Sequence, residues 1–201
     1  MSGSRPGPRR AAALLVAALP LLTSSLAAPA ADPVAGRNKA QVCVACHGAG
    51  GNSVIPALPS LAGQPRQFIV TQLVMFREGN RKDLQMSPAA ANMTNTDIND
   101  LAAYFSAQPL APAARITDPA KAATGRRLSE QYHCVSCHGT ALMGQQHIPR
   151  LAGQQFEYLR TQLRGFKAGT RFDMDGNMTA AAQALTDADV EILADYLAGI
   201  K

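Results

Sequence analysis

The sequence predicts an all-α protein built from two small helical domains in tandem. Three observations lead to this fold class. The second half of the chain repeats the first at an offset of 90 to 92 residues, apolar residues recur at helical spacing in each half, and no stretch alternates well enough to predict a strand. Two repeats of this length are two small domains rather than a solenoid.

The repeat and the composition divide the 201 residues into four segments. Residues 1–30 have a basic start, an apolar run and a small-x-small site, which predicts a cleavable signal peptide. The apolar run is short and is broken by Pro20, so a retained membrane anchor is the weaker interpretation. We expect the first domain at residues 31–108, the proline-containing linker at 109–118 and the second domain at 119–201.

Each domain is predicted to open and close with a helix. Asp-Pro pairs at 32–33 and 118–119 supply an N-cap and a first-turn proline for an opening helix that runs towards a cysteine pair. Thr-x-x-Asp at 94–97 and 186–189 resembles a capping box, with Asp in place of the preferred Glu or Gln, and predicts each closing helix.

A middle helix is predicted in each domain, at residues 65–78 and 155–168. Both segments place apolar residues at helical spacing, and a glycine follows each. Aromatic residues make up only 5% of the chain and Trp is absent, which is little for two separate cores. Domains of this size often need a metal, a disulfide or a cofactor, so the composition leaves room for a large apolar prosthetic group.

The charge of the chain does not indicate nucleic-acid binding. The formal net charge is +5, and three arginines of the predicted signal peptide contribute to it without any acidic residue there. The remainder is nearly balanced in both domains, with no basic stripe.

All four cysteines lie in two Cys-x-x-Cys-His units. This spacing predicts covalent haem attachment, because two thiols on one turn add across the two haem vinyl groups and the next histidine donates a ring nitrogen to the iron. The sequence therefore predicts two haem c groups, one per domain. The residues of the two units are Cys43, Cys46 and His47, and Cys134, Cys137 and His138.

Three other uses of the cysteines fit the sequence less well. A redox-active disulfide is typical of a βαβ setting, which the sequence does not show. Zinc fits poorly, since an exported protein with no leftover cysteine has a histidine directly after each pair. A structural disulfide that closes so short a loop stabilises little.

The sixth iron ligand is predicted to be Met86 in the first domain and Met178 in the second. They are the only two of the seven methionines at matching places in both repeats. A methionine ligand saturates the iron and suits electron transfer, whereas an open iron suits catalysis or gas binding. Met93 and Met174 are the reserve candidates.

A proline follows each haem motif, at Pro59 and Pro149. Its backbone carbonyl is placed to accept the ring N–H of the axial histidine and fix the orientation of the ring. A loop proline that only breaks a helix is the alternative.

On these motifs the sequence resembles the dihaem cytochrome c4 family. The resemblance covers nearly the whole mature chain and rests on the two Cys-x-x-Cys-His-Gly units, the two Pro-x-Leu-Ala-Gly-Gln segments and the methionine eight residues before each capped closing helix. It implies two class I cytochrome c domains, each wrapped around one covalently bound haem with His–Met ligation. Met86 and Met178 fall on the family's axial methionines, and Pro59 and Pro149 on its supporting prolines.

The resemblance also implies a periplasmic electron carrier of a respiratory chain rather than an enzyme. The implied partners are an upstream cytochrome reductase or dehydrogenase and a downstream terminal oxidase, and some family members attach loosely to the membrane. Three rival functions stay open: a dihaem peroxidase or similar enzyme, a haem-based gas sensor, and a cytochrome subunit bound permanently to a dehydrogenase. The first two need an open iron, which the matched methionines disfavour.

Overall fold

A computed structural model describes residues 30–113 and 115–201, together with Gly3 and Gly7. The predicted signal peptide at residues 1–30 therefore lies almost wholly outside the described residues. Within the described ranges the chain forms α-helices and no strand, with one isolated bridge between Gln145 and Ile148. No helix in these ranges has the length and apolar character needed to cross a membrane. The predicted all-α class is confirmed.

Each domain contributes five helices. The first domain contains α1 (Pro33–Lys39), α2 (Val44–His47), α3 (Arg66–Arg77), α4 (Met86–Ala90) and α5 (Asn95–Ser106). The second domain contains α6 (Pro119–Gln131), α7 (Cys134–His138), α8 (Phe156–Lys167), α9 (Asn177–Gln183) and α10 (Asp187–Gly199). Short 3-10 turns at Ala40–Val42 and Ala49–Gly51 flank the first cysteine motif.

The predicted helix starts are confirmed by their hydrogen bonds. The Asp32 carboxylate accepts the N–H of Val34 at 2.8 Å, and Asp118 caps α6 in the same way. Thr94 Oγ1 accepts the N–H of Asp97 at 3.1 Å, and the Asp97 carboxylate accepts the N–H of Thr94 at 2.9 Å. The same reciprocal pair begins α10, so Asp completes a capping box in both domains.

The opening and closing helices of each domain cross at a glycine. A Cβ atom on Gly36 of α1 would lie 2.0 Å from the carbonyl oxygen of Asp100 on α5. A Cβ atom on Gly125 of α6 would lie 2.2 Å from Cβ of Tyr196 on α10. Only glycine allows these backbones to approach so closely. The middle helix of each domain, α3 or α8, then packs against the closing helix.

The core of each domain is apolar and lies where these helices meet. Tyr104 and Tyr196, which occupy matching places on the closing helices, pack against the cores of their own domains. The first core contains Ala40, Ile69, Leu101, Ala102 and Phe105. Among the buried residues of the second are Leu128, Leu159, Leu163, Phe166, Val190, Leu193 and Leu197.

The two domains meet through a pair of buried glutamines that occupy matching places in the repeat. Gln64 donates to the carbonyl oxygen of Arg150 at 3.0 Å and accepts the N–H of Arg150 at 2.9 Å. Gln154 donates to the carbonyl oxygen of Ser60 at 2.9 Å and accepts the N–H of Ser60 at 2.7 Å. Because Ser60 and Arg150 also match, the interface has an approximate two-fold symmetry.

Residues of the linker contact the second domain. The guanidinium of Arg115 pairs with the carboxylate of Asp195 on α10 and stacks on the ring of Phe156, 4.0 Å from its centroid. The hydroxyl of Thr117 donates to the carbonyl oxygen of Asp195 at 2.9 Å. The end of the linker is therefore held against α10.

Candidate functional site

Each Cys-x-x-Cys-His unit forms a single helical turn. The turn brings both thiols and the histidine to one side, and none of the four cysteines is in a disulfide. Gly48 and Gly139 end the turns with φ of 78° and 81°. A Cβ on Gly48 would lie 2.0 Å from the carbonyl oxygen of Asn52, so the chain can fold back directly after His47 only with glycine there.

Both motif histidines are buried and held by the predicted prolines. His47 Nδ1 lies 2.8 Å from the carbonyl oxygen of Pro59, and His138 Nδ1 lies 2.8 Å from that of Pro149. A carbonyl only accepts, so Nδ1 carries the hydrogen and Nε2 is left free to coordinate a metal. Burial lowers the pKa of both histidines despite these hydrogen bonds, which favours the neutral, metal-binding form. The predicted proline contacts are confirmed.

The motifs open into a cavity of about 750 Å³ whose lining comes from both domains. All eight predicted site residues line it: Cys43, Cys46, His47, Met86, Cys134, Cys137, His138 and Met178. Over residues 30–113 and 115–201, no three His, Cys, Asp or Glu side chains form a group that could hold a metal ion. The cavity suits a large apolar group with its own metal.

The two predicted methionines occupy equivalent places at the start of short helices. Met86 is the first residue of α4 and Met178 the second residue of α9, and both are half-buried. Of the reserve candidates, Met93 packs against the first core, and Met174 is 72% exposed. The structure thus places Met86 and Met178 in corresponding positions on the cavity wall.

An aspartate anchors each methionine, a feature that the sequence reasoning missed. Asp83 accepts the N–H of Met86 at 2.8 Å, and Asp173 accepts the N–H of Met178 at 2.8 Å. Burial opposes ionisation of Asp173, but hydrogen bonds from Thr179 and Met178 outweigh it and lower its pKa to about 2. The two aspartates stand 90 residues apart, so the repeat itself carried the signal.

Three arginines on the cavity wall lie at the domain interface and were also missed. Arg81 contacts Tyr158 and Gln162 of the second domain, at 3.3 and 3.1 Å. Arg171 donates to the same Gln162, and Arg150 donates to the carbonyl oxygens of Ala152 and Ala62. Among the described residues, none of the three arginines forms an ion pair with a carboxylate.

These arginines fit the carboxylate arms of a haem. The Nε atoms of Arg150 and Arg171 are buried without a hydrogen-bond partner among the described residues. Burial lowers the pKa of both guanidinium groups to about 10, so both remain cationic at neutral pH. A buried cation with an unsatisfied donor is costly unless an anion meets it. The donor set of the cavity therefore matches a group that combines an apolar ring with carboxylates.

Comparison with known proteins identifies the family. The family model for cytochrome c matches twice, at residues 34–108 and 122–201. Cytochrome c4 of Thiocapsa roseopersicina is 39% identical over 181 residues, which cover 84% of this chain and 93% of that protein. The thiosulfate dehydrogenase electron acceptor of Thiomonas intermedia is 35% identical and covers 86% of this chain and 84% of its own length.

A solved structure agrees with this assignment. Reduced recombinant cytochrome c4 from Pseudomonas stutzeri superposes with a TM-score of 0.79 at 34% identity, covering 86% of this chain and all of that one. The duplicated cytochrome c match and these relatives establish two covalently bound haem c groups, one in each domain. The chain belongs to the cytochrome c4 family and is a dihaem cytochrome that carries electrons.

Proposed function

We propose that the two irons are six-coordinate, with His47 and Met86 as the axial ligands in the first domain and His138 and Met178 in the second. Cys43 and Cys46, and Cys134 and Cys137, are the attachment thiols. The observation that carries this proposal is that each domain presents the same set to the cavity: a buried histidine held through Nδ1 by a proline carbonyl, and a methionine whose N–H is accepted by an aspartate.

The mechanism follows from this frame. Held by these residues, a haem in each domain would supply one-electron chemistry at its iron. Pro59 and Pro149 fix the ring orientation of the histidines, Asp83 and Asp173 hold the methionine backbones, and the apolar core residues exclude water. Because methionine ligands would saturate both irons, we propose an electron carrier that is not itself an enzyme.

Carbon monoxide binding tests this function. The reduced, fully loaded protein should not respond to carbon monoxide at either haem, since methionine occupies the sixth position. Met178→Ala should open the second iron alone. Met174→Ala, which removes an exposed side chain four residues earlier, should leave both haems unresponsive to carbon monoxide. Binding of carbon monoxide by the unmodified protein would instead indicate an open iron and favour an enzyme or a gas sensor.

We further propose that the chain works in the periplasm, with residues 1–30 removed on export, domains at 31–108 and 119–201, and the linker between them. It would accept electrons from a dehydrogenase or a cytochrome reductase and pass them towards a terminal oxidase of a respiratory chain. The relatives named as thiosulfate dehydrogenase electron acceptors support the dehydrogenase as the donor. Cell fractionation and a purification that preserves complexes would test location, membrane attachment and permanent binding to a donor.

A further inference from the structure

The peptide group that joins Pro59 to Ser60 is hydrogen-bonded at both ends. Its carbonyl accepts from His47 Nδ1 at 2.8 Å, and its N–H donates to Oε1 of Gln154 at 2.7 Å. His47 belongs to the first domain and Gln154 to the second. A single peptide group therefore links the motif histidine of one domain to a side chain of the other.

The second domain repeats this connection in the opposite direction. The carbonyl of the Pro149–Arg150 peptide accepts from His138 Nδ1 at 2.8 Å, and its N–H donates to Oε1 of Gln64 at 2.9 Å. Each histidine is thus two hydrogen bonds from a glutamine across the interface. The same crosswise arrangement at matching positions argues against a chance contact.

Burial makes these connections strong and fixed. Gln64 is 3% exposed, Gln154 is 4% exposed, and the residues that they contact, Ser60 and Arg150, are 6% and 2% exposed. The Nε2 of each glutamine donates to the carbonyl of the residue whose N–H its Oε1 accepts. This double contact sets the orientation of the amide. If the amide were flipped, its N–H group would face the backbone N–H and its oxygen would face the backbone carbonyl oxygen.

We propose that Gln154 and Gln64 are positioning residues for the axial histidine of the opposite domain, and that each domain thereby sets the reduction potential of the other domain's haem. This inference rests on the proposed axial ligation by His47 and His138. A peptide that donates through its N–H becomes a better acceptor at its C=O, since hydrogen bonds in a chain polarise one another. The histidine then gains electron density, which stabilises the oxidised iron.

Replacement of the glutamine in one domain should change the reduction potential of the haem in the other domain. In the fully loaded protein, Gln154→Met removes the amide and keeps most of the volume. It should raise the potential of the haem in the first domain and leave that of the second unchanged, and Gln64→Met should do the reverse. We expect a shift of up to about twofold in the reduced-to-oxidised ratio, from a 10–30% change in a hydrogen bond between neutral groups.

Two readouts resolve the haems. An NMR-monitored redox titration follows each iron separately through the side-chain signals of Met86 and Met178. In the reduced protein, the Nδ1–H signals of His47 and His138 report the strength of their hydrogen bonds directly. The signal of His47 should move in Gln154→Met and that of His138 in Gln64→Met.

Gln155→Met is the matched control. Gln155 is adjacent to Gln154 and also donates across the interface, to the carbonyl oxygen of Ser53, but that carbonyl does not hold a motif histidine. This variant loses an interdomain hydrogen bond and should shift neither Nδ1–H signal. If it moves the potentials as much as Gln154→Met does, the glutamines act only by holding the domains together and the inference is overturned.

The remaining outcomes separate this inference from the proposed function. Equal shifts of both potentials, a shift confined to the variant's own domain, or no shift in either glutamine variant would overturn the crosswise connection alone. Carbon monoxide binding by the unmodified protein would instead remove the proposed ligation. Haem content and circular dichroism of the two glutamine variants show whether each has folded, and either one alone suffices for the test.

Discussion

The two domains anchor their methionines with loops of different length. Met86 follows Asp83 by three positions, whereas Met178 follows Asp173 by five. In the second domain the longer loop turns at Gly176, with φ of 73°, before α9 begins. Both carboxylates nevertheless accept the methionine N–H at 2.8 Å. The length of the loop can therefore vary as long as an aspartate holds the methionine backbone.

The basic residue that pairs with the closing helix comes from a different segment in each domain. In the first domain, Lys39 of α1 bonds both Asp97 and Asp100 of α5, at 2.8 and 2.7 Å. In the second domain, Asp195 of α10, which stands where the first domain has Ala103, pairs with Arg115 of the linker. In the first domain, the charged contact to the closing helix therefore comes from the opening helix of the same domain. In the second domain, it comes from the linker.

The largest effect is expected at the glycine crossings, where the domains are alike. Gly36→Val and Gly125→Val should each lower the free energy of unfolding by about 3 kcal/mol, at the upper end for overpacking, because the added atoms overlap backbone or Cβ atoms. Asn38→Val and Arg126→Val, at exposed sites on the same helices, control for the cost of valine in a helix. Thermal unfolding of the loaded protein measures the effect, and losses equal to the controls would contradict tight crossing.

A smaller effect is expected at the methionine anchors, where the domains differ. Asp173→Ala should cost about 1 kcal/mol, comparable to the loss of a helix cap, because Asp173 accepts N–H groups in the first turn of α9, and it should loosen Met178 more than Asp83→Ala loosens Met86. The reason is that Asp173 also accepts from the N–H and hydroxyl of Thr179, at 3.0 and 2.7 Å. The rate of carbon monoxide binding to each reduced haem measures the loosening. Equal rates in the two variants would mean that the extra contacts of Asp173 with Thr179 have no consequence for Met178.

Low pH should also affect the two methionine anchors to different extents. The pKa of Asp173 in the folded chain is about 2, below its ordinary value of 3.8, so its stabilisation is present above pH 4 and is lost as pH falls towards 2. Asp97 of the first domain also has a pKa of about 2, chiefly through Lys39, but it caps α5. The N–H of Met86 likewise lowers the pKa of Asp83, so both methionine anchors weaken as the pH falls, and the larger shift at Asp173 means that the second domain should lose more stabilisation. Asp173→Asn should remove that pH dependence, as followed by the methionine–iron absorption band, and Asp97→Asn should not.

The smallest effect is expected at the linker contact. Arg115→Ala should destabilise the second domain by about 0.5–1 kcal/mol, from a partly exposed ion pair and a cation–π contact. Lys39→Ala should destabilise only the first domain. Unfolding at low and high salt checks both, since screening should shrink the two losses. A salt-independent loss at Arg115 would assign the effect to stacking on Phe156 rather than to the charge.

Local features were predictable from the sequence, and contacts between the domains were not. The caps at Asp32, Thr94 and Thr186 depend on residues two or three positions away, so a short pattern contains all the information. The proline contacts span 11 and 12 residues and followed from the chemistry of an axial histidine.

The interface could not be predicted because its partners are 77 to 102 residues apart. Gln64 and Gln154 stood in the repeated motif without an assigned role, since nothing local indicates that two halves of a repeat face each other. The repeat could not indicate a role for Arg150 either, because its counterpart in the first domain is Ser60. The repeated Asp83 and Asp173 were visible and should have been singled out.

The crosswise glutamine contacts are of the kind that two copies of one chain would form. An isologous dimer pairs residue i with j and j with i, and Gln64 with position 150 and Gln154 with position 60 satisfy that relation. Joining the copies in one chain makes the association intramolecular, at an effective concentration in the millimolar range for a short linker. Weak mutual affinity is then sufficient, and the pairing persists however dilute the protein becomes.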